Sequence, residues 1–335
     1  MGSDTREVFI KFITAYIKSM RLYYSFVTGI AGWIGVAYYE LLARHHPERT
    51  IEVLPGDEKK IVILCLLFLS WGINQIINDY LGLKEDRINA PERPMVTGEL
   101  DANKALGLSI VMLILAAAVT WLYLEPVAVI FLLAGVIFNI VYEYAKGHGI
   151  LGNIVFGLMI TMAPFYGFYA CGPTQASFLA SHRTSALLLI LIINGLMTFY
   201  TYFKDYEGDK AAGKETLVVR YGINKARLIA LFATFLPTVT FFILRATHML
   251  EVSINSTFVI LGCLTILMQA WTGFLYYCHA TGEKTYASLK MNFRACVCGE
   301  ATIVAFFNPE LALWLFLMSY MLVGFLFDLH ANPRS

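Results

Sequence analysis

The stretch NQIINDYLGLKEDRINAPERP, residues 74–94, sets Asn78, Asp79, Glu85 and Asp86 directly behind a run as apolar as IVILCLLFLSW. On a helix Asn78, Gly82 and Asp86 stand at i, i+4 and i+8, and each step of four residues overshoots a full turn by only about 40°, so the three share one stripe. A second acidic cluster, YFKDYEGDKAAGKETL at 202–217, repeats the i, i+4 spacing with Asp205 and Asp209. Oxygen donors from Asn78, Asp79, Asp86, Asp205 and Asp209, offered by two facing helices, suit a hard cation such as Mg²⁺, which binds a few carboxylates together with waters and substrate phosphates. Arg93, Lys146, Lys204, Lys214 and Arg220 accompany them. Carboxylate-held metal beside Lys and Arg donors is a way to grip a diphosphate and stabilise it as a leaving group. The implied substrate is an amphiphile with a diphosphate head and an apolar tail. One such cluster at a membrane boundary is most often a solvated loop, but two with the same spacing on the same side favour a site.

The elements that must carry these residues are membrane helices. The 335 residues are 58% hydrophobic and 15% charged, with a mean hydropathy of +0.63, against roughly 45–50% and 25% in a soluble domain. Apolar stretches of spanning length run about 23–43, 61–81, 105–124, 127–144, 149–171, 184–203, 226–244, 253–277 and 311–329, which predicts an all-α, multi-pass bundle of about nine transmembrane helices. Lys290, Arg294 and Glu300 interrupt residues 286–307, which are expected to lie in the interface or in a short re-entrant turn, a tenth span being the alternative. Both acidic clusters follow apolar spans and fall in the loops that hold most of the Lys and Arg. The positive-inside rule therefore opens the site to the cytoplasm. Their separation by about four helices suggests two pseudo-symmetric halves around a central cavity.

Other features narrow the classes. MGSDTREVF carries no signal-peptide core and no myristoylation pattern, so no cleavage or lipidation is expected. Cys65, Cys171, Cys263, Cys278, Cys296 and Cys298 are scattered along or beside the spans and read as core filler. No basic stripe suggests nucleic acid, and no obligate protein partner is evident beside the bilayer and the substrate. GIAGWIG and GNIVFG read as close-packing helix faces. Asn74, Asn139, Asn153 and Asn194 are polar groups in or at the ends of apolar spans. Asn194, about three turns before Asp205, is placed either on the cavity wall or in a helix–helix hydrogen bond.

The two acidic regions, together with AKGHGILGN around Lys146, resemble the signature regions of the UbiA superfamily of intramembrane prenyltransferases, over most of the chain. The resemblance implies a single UbiA-like transmembrane domain over 1–335, with Asn78, Asp79, Asp86, Asp205 and Asp209 as Mg²⁺ ligands and Arg93, Lys146, Lys204, Lys214 and Asn153 around the diphosphate. Gly82 stands where the family pattern has an Asp, and Thr201-Tyr202 stands where many members carry Lys-Asp. That reduced pattern is similar to UbiA-type terpene cyclases. It implies a Mg²⁺-dependent class I cyclase acting on a prenyl diphosphate, geranylgeranyl diphosphate being the expected one, with Tyr202, Asn194 and Tyr142 lining the site of the carbocation. The alternative is transfer of the prenyl group to an aromatic or lipid acceptor. An ion-relaying transporter is the reading from another class, but it would need mid-span carboxylates, and Glu40, Glu143 and Asp328 sit near edges.

Overall fold

Apolar runs bounded by Gly, Pro and charged residues fold as helices throughout a computed structural model that describes residues 3–45, 51–179 and 181–331, with no strand among them. Amphipathic α1 (Ser3–Met20) ends at Arg21, where the backbone is left-handed (φ 49°, ψ 68°) before a 3-10 turn, Leu22–Tyr24. A non-glycine residue rarely adopts that region. Then follow α2 (Ser25–His45), α3 (Asp57–Leu81), the short α4 (Leu83–Asn89) and α5 (Pro94–Thr97), α6 (Ala102–Tyr123), α7 (Ala128–Ala145), α8 (Ile150–Ala170) and α9 (Ser181–Thr201). The second half comprises α10 (Tyr206–Ala211), α11 (Leu217–Ala233), α12 (Leu236–Ala246), α13 (Ser256–Cys278), α14 (Thr285–Val304) and α15 (Pro309–Ala331).

Among the described residues eight helical segments are long and apolar enough to cross a membrane, α11 and α12 forming one of them; α9 is a shorter apolar helix. The chain is a multi-pass membrane bundle. Helices α2 and α8 pack with their backbones nearly touching, because Gly35 and Gly167 leave no room for a side chain: a Cβ at either would meet the carbonyl oxygen of Pro164 or of Gly32. Gly157 faces the carbonyl of Leu191 on α9 in the same way. These contacts fix α8 between α2 and α9, the position from which it walls the cavity described below.

The expectation for 286–307 needs correction. It is neither interfacial nor re-entrant: α14 is one helix of 20 residues, about 30 Å long, and buried along most of its length. It runs antiparallel to α13. At one end Ser288 Oγ donates to His279 O at 3.3 Å, and at the other Asn255 Nδ2 donates to Ala305 O at 2.7 Å. The polar side chains that mask it in the sequence are satisfied by neighbouring helices. Lys290 pairs with Asp328 at 2.8 Å, Arg294 Nε donates to Tyr320 O at 2.9 Å, and Asn194 Nδ2 donates to Glu300 at 2.8 Å. A polar side chain bonded inside a bundle is tolerated where a lipid-facing one is not. The extra crossing returns α15 to the acidic side, where Phe327 packs 5.0 Å from Tyr23 at the start of the first span.

Candidate active site

Chain breaks at glycine and proline shape the mouth of the cavity. Gly82 caps α3, its N–H donating to Asn78 O at 2.8 Å, and α4 restarts one residue later. Asn78 and Asp86 thus come from two helices and still face one space. Pro94 opens α5 and holds Arg93 extended (φ −63°, ψ 141°), with its side chain turned inward, 18% exposed. Opposite, the end of α9 tightens into 3-10-type turns, Tyr202 N–H to Phe199 O and Lys204 N–H to Thr201 O both at 3.3 Å. That swings Lys204 and Asp205 into the same space.

The cavity behind this mouth encloses about 1430 Å³ of empty space, open solvent at its entrance included. Arg21, Asn78, Glu85, Asp86, Arg93, Glu143, Lys146, Lys204 and Asp205 form the polar end. Below them lies an aromatic collar. Tyr24 stacks on Trp71 with ring centroids 4.8 Å apart, and Phe156 meets Trp71 edge-on at 5.8 Å and Tyr142 at 5.2 Å, all four on the wall. Deeper, Leu66, Leu67, Ile73, Phe131, Leu132, Met159, Ile160 and Tyr166 make the wall apolar. The rise along α7 from Phe131 to Lys146 is about 22 Å, the length of an extended chain of roughly four five-carbon units.

The structure brings seven of the expected residues to this cavity: Asn78, Asp86, Arg93, Tyr142, Lys146, Lys204 and Asp205. Six others stand behind its wall. Asp79 is 4% exposed and takes two bonds from Arg21 Nη2, at 2.7 and 2.8 Å, with Gln75 Nε2 at 2.8 Å. It orients Arg21 rather than facing the cavity. Asp209 is fully buried and pairs with Lys146 at 3.0 Å. That contact lies off the hydrogen-bonding direction, so neither carboxylate oxygen receives a hydrogen bond among the described residues. Asp209 N–H donates to Asp205 O at 2.9 Å, so the i, i+4 turn between them is kept, yet of the two Asp205, at the N-cap of α10, lines the cavity and Asp209 does not. Lys214 bridges Glu85, at 3.1 Å, and Glu143. Asn153 donates to Gly195 O at 2.9 Å, and Asn194 bonds Glu300, the helix–helix alternative. Tyr202 is fully buried with its ring 5.9 Å from Lys146 Nζ; the aromatic faces on the wall belong to the collar instead.

Electrostatics at the mouth follow from burial and pairing. Burial alone would raise Asp205, but Lys204, Lys146 and Arg93 outweigh it and hold the carboxyl down at about 2. Burial pushes Asp209 up to about 6 against the pull of Lys146, and it raises Asp86 despite Arg93. Lys146 is held protonated well above its ordinary value: burial works against the charge, and Asp209 and Asp205 more than offset it.

Among the described residues no three Asp, Glu, His or Cys side chains converge closely enough to hold a metal alone. The donor set still fits Mg²⁺, which needs only one or two carboxylates when substrate phosphates complete its shell. Asp86, Asp205 and Asn78 all line this one cavity.

Sequence reasoning missed Arg21, Glu85 and Glu143 as wall residues. Glu143 had a signal, a carboxylate near the end of an apolar run three residues before Lys146. Arg21 had none beyond its charge, since its place depends on the left-handed turn and on Asp79, distant in the sequence.

The pattern that describes the UbiA prenyltransferase family matches residues 54–294. Among curated proteins, the chain is 30% identical over 223 residues to a digeranylgeranylglyceryl phosphate synthase of Thermococcus sibiricus, covering 65% of this chain and 72% of that one. It is 27% identical over 236 residues to the protein of the same name from Pyrococcus horikoshii, covering 68% and 76%. Among solved structures, a UbiA homolog from Archaeoglobus fulgidus bound to GPP and Mg²⁺ superposes with a TM-score of 0.64 at 16% identity, over 90% of this chain and 99% of that one. A UbiA homolog from Aeropyrum pernix K1 gives 0.63, also at 16%, over 86% and 97%; both share the fold. These relatives overturn the cyclase expectation. They are named for a product that keeps prenyl chains on a glycerol phosphate, not for a cyclised terpene, and Gly82 with Tyr202 does not mark a cyclase here.

Proposed function

The chain belongs to the UbiA prenyltransferase family, and on that premise we propose that it transfers a prenyl group from a prenyl diphosphate to a lipid acceptor bearing a free hydroxyl. The observation that carries the proposal is one cavity whose mouth combines carboxylates with Arg21, Arg93, Lys146 and Lys204 and whose wall, apolar below the aromatic collar, runs about 22 Å from Lys146 to Phe131. The names of the relatives support a geranylgeranyl donor and a geranylgeranylglyceryl phosphate acceptor. The length of the wall from mouth to floor agrees with a C20 diphosphate.

Asp86, Asp205 and Asn78 would hold Mg²⁺ against the diphosphate, where the ion neutralises charge that develops on the leaving group. The four cations donate to the diphosphate oxygens and stabilise the same charge as the C1–O bond breaks. Tyr24, Trp71, Phe156 and Tyr142 present π faces to the allylic cation. A new C1–O bond forms to the acceptor hydroxyl, whose proton leaves with the diphosphate. The charge asymmetry of the loops supports a cytoplasmic mouth.

The test incubates purified protein with geranylgeranyl diphosphate and Mg²⁺, with and without geranylgeranylglyceryl phosphate, and follows diphosphate release and product mass. Release that depends on the acceptor, with an ether of both lipids as product, is expected. Release independent of any acceptor, or no release with either lipid, would overturn the reading.

A further inference from the structure

Gly82 lies where the resembling family pattern has a carboxylate, and the space its side chain would enter borders Glu143 at ordinary contact distance. A Cβ built there points at Glu143 on α7, 3.7 Å from Oε1 and 4.0 Å from Cδ. Asn78 Nδ2, on the other side of that space, donates to Glu143 Oε2 at 3.4 Å. Glu143 lines the cavity with Asn78, Gly82 and Asp86, and its side chain is 11% exposed. An Asp at 82 would bring a second anion within contact of Glu143, which is unfavourable at this degree of burial.

We propose that Glu143 supplies, from α7, the metal-binding carboxylate that position 82 lacks. The inference rests on the prenyl-transfer reading for its substrate, and it concerns which chain segment furnishes the oxygen. Asn78 and Glu143 already touch, so the donors from α3 and α7 converge on the place that one i, i+4, i+8 stripe would otherwise fill from α3 and α4 alone. A carboxylate at residue 82 and one at residue 143 would reach the same space beside Asn78, where two would repel each other. Lys214, bonded to both Glu143 and Glu85, keeps the pair compensated within the protein.

The alternatives make the test a swap. Mn²⁺ binding to the purified protein is titrated by electron paramagnetic resonance in the presence of a non-reactive thio analogue of geranylgeranyl diphosphate. Glu143→Gln, which keeps the size and the hydrogen-bond acceptor, should weaken Mn²⁺ about tenfold or more. Gly82→Asp alone should also weaken it or leave a poorly folded protein, through repulsion. The double variant Gly82→Asp/Glu143→Gln should recover at least half of the lost affinity on a logarithmic scale. Wild-type Mn²⁺ affinity in Glu143→Gln overturns the inference, as does a double variant no better than Glu143→Gln, because a merely structural Glu143 offers no reason for rescue from position 82. If wild type binds Mn²⁺ and the analogue but never transfers a prenyl group, the prenyl-transfer reading fails while the swap still decides this one. A wild type that binds no Mn²⁺ with the analogue present overturns both.

Discussion

Asp205 shows how much one residue at the mouth is asked to do. It is the carboxylate of the second cluster that faces the cavity, and Lys204, Lys146 and Arg93 keep it ionised. Asp205→Asn keeps the shape and removes the charge, so turnover should fall by roughly a hundredfold or more, the scale on which losing one preorganised electrostatic partner is felt. Steady-state diphosphate release measures it, and a loss smaller than threefold would remove Asp205 from the site. At this scale the sequence was informative where chemistry follows from type and spacing, and less so where it follows from contact. Asp86, Asp205, Arg93 and Lys146 were legible because carboxylates and cations recur behind apolar runs. Asp79, expected as a Mg²⁺ ligand, instead bonds Arg21 and Gln75, since adjacent helical residues point about 100° apart and Asn78 takes the cavity side. The relation of Gly82 to Glu143 was hidden because a missing side chain leaves no mark on the element that fills its place.

The elements divide the labour. Helices α3 and α7 run from polar head to apolar wall and α8 adds wall alone, so the length of the tail they accept is set where the wall ends. Phe131 closes that end, stacked on Phe165 at 5.0 Å and on Tyr169 at 5.1 Å. Phe131→Ala should open the floor and move preference from the C20 diphosphate toward C25, read as the ratio of kcat/KM for the two donors. An unchanged ratio would place the floor elsewhere. Helix boundaries were largely readable from hydropathy, since α2, α3, α6, α7, α8 and α13 overlie the apolar stretches. Helix α14 was not, because Lys290, Arg294 and Glu300 look like interruptions until α15 and α9 are in place to bond them. A hydropathy argument treats each segment as though lipid surrounded it, and α14 has protein on most sides.

For the whole molecule, α14 running antiparallel to both α13 and α15 brings the end of α15 to the side where α2 begins. Reporter fusions at either end of the chain should respond from the same side of the membrane as a cysteine introduced in the loop around Arg93; opposite sides would restore the nine-crossing arrangement. Every one of these carboxylates at the mouth has a cation within the chain: Asp79 has Arg21, Asp86 has Arg93, Asp205 has Lys204, Asp209 has Lys146, and Glu85 and Glu143 share Lys214. The fold thus supplies its own counter-ions. Chelation by EDTA should abolish turnover yet leave the thermal unfolding midpoint in detergent unmoved, and a large drop would show that the metal holds the bundle together. In a cell, marginal proteins that need a ligand to fold are cleared when it runs short. A protein that balances itself persists through scarcity, so donor supply would set how fast this one works and leave untouched how much of it the membrane contains.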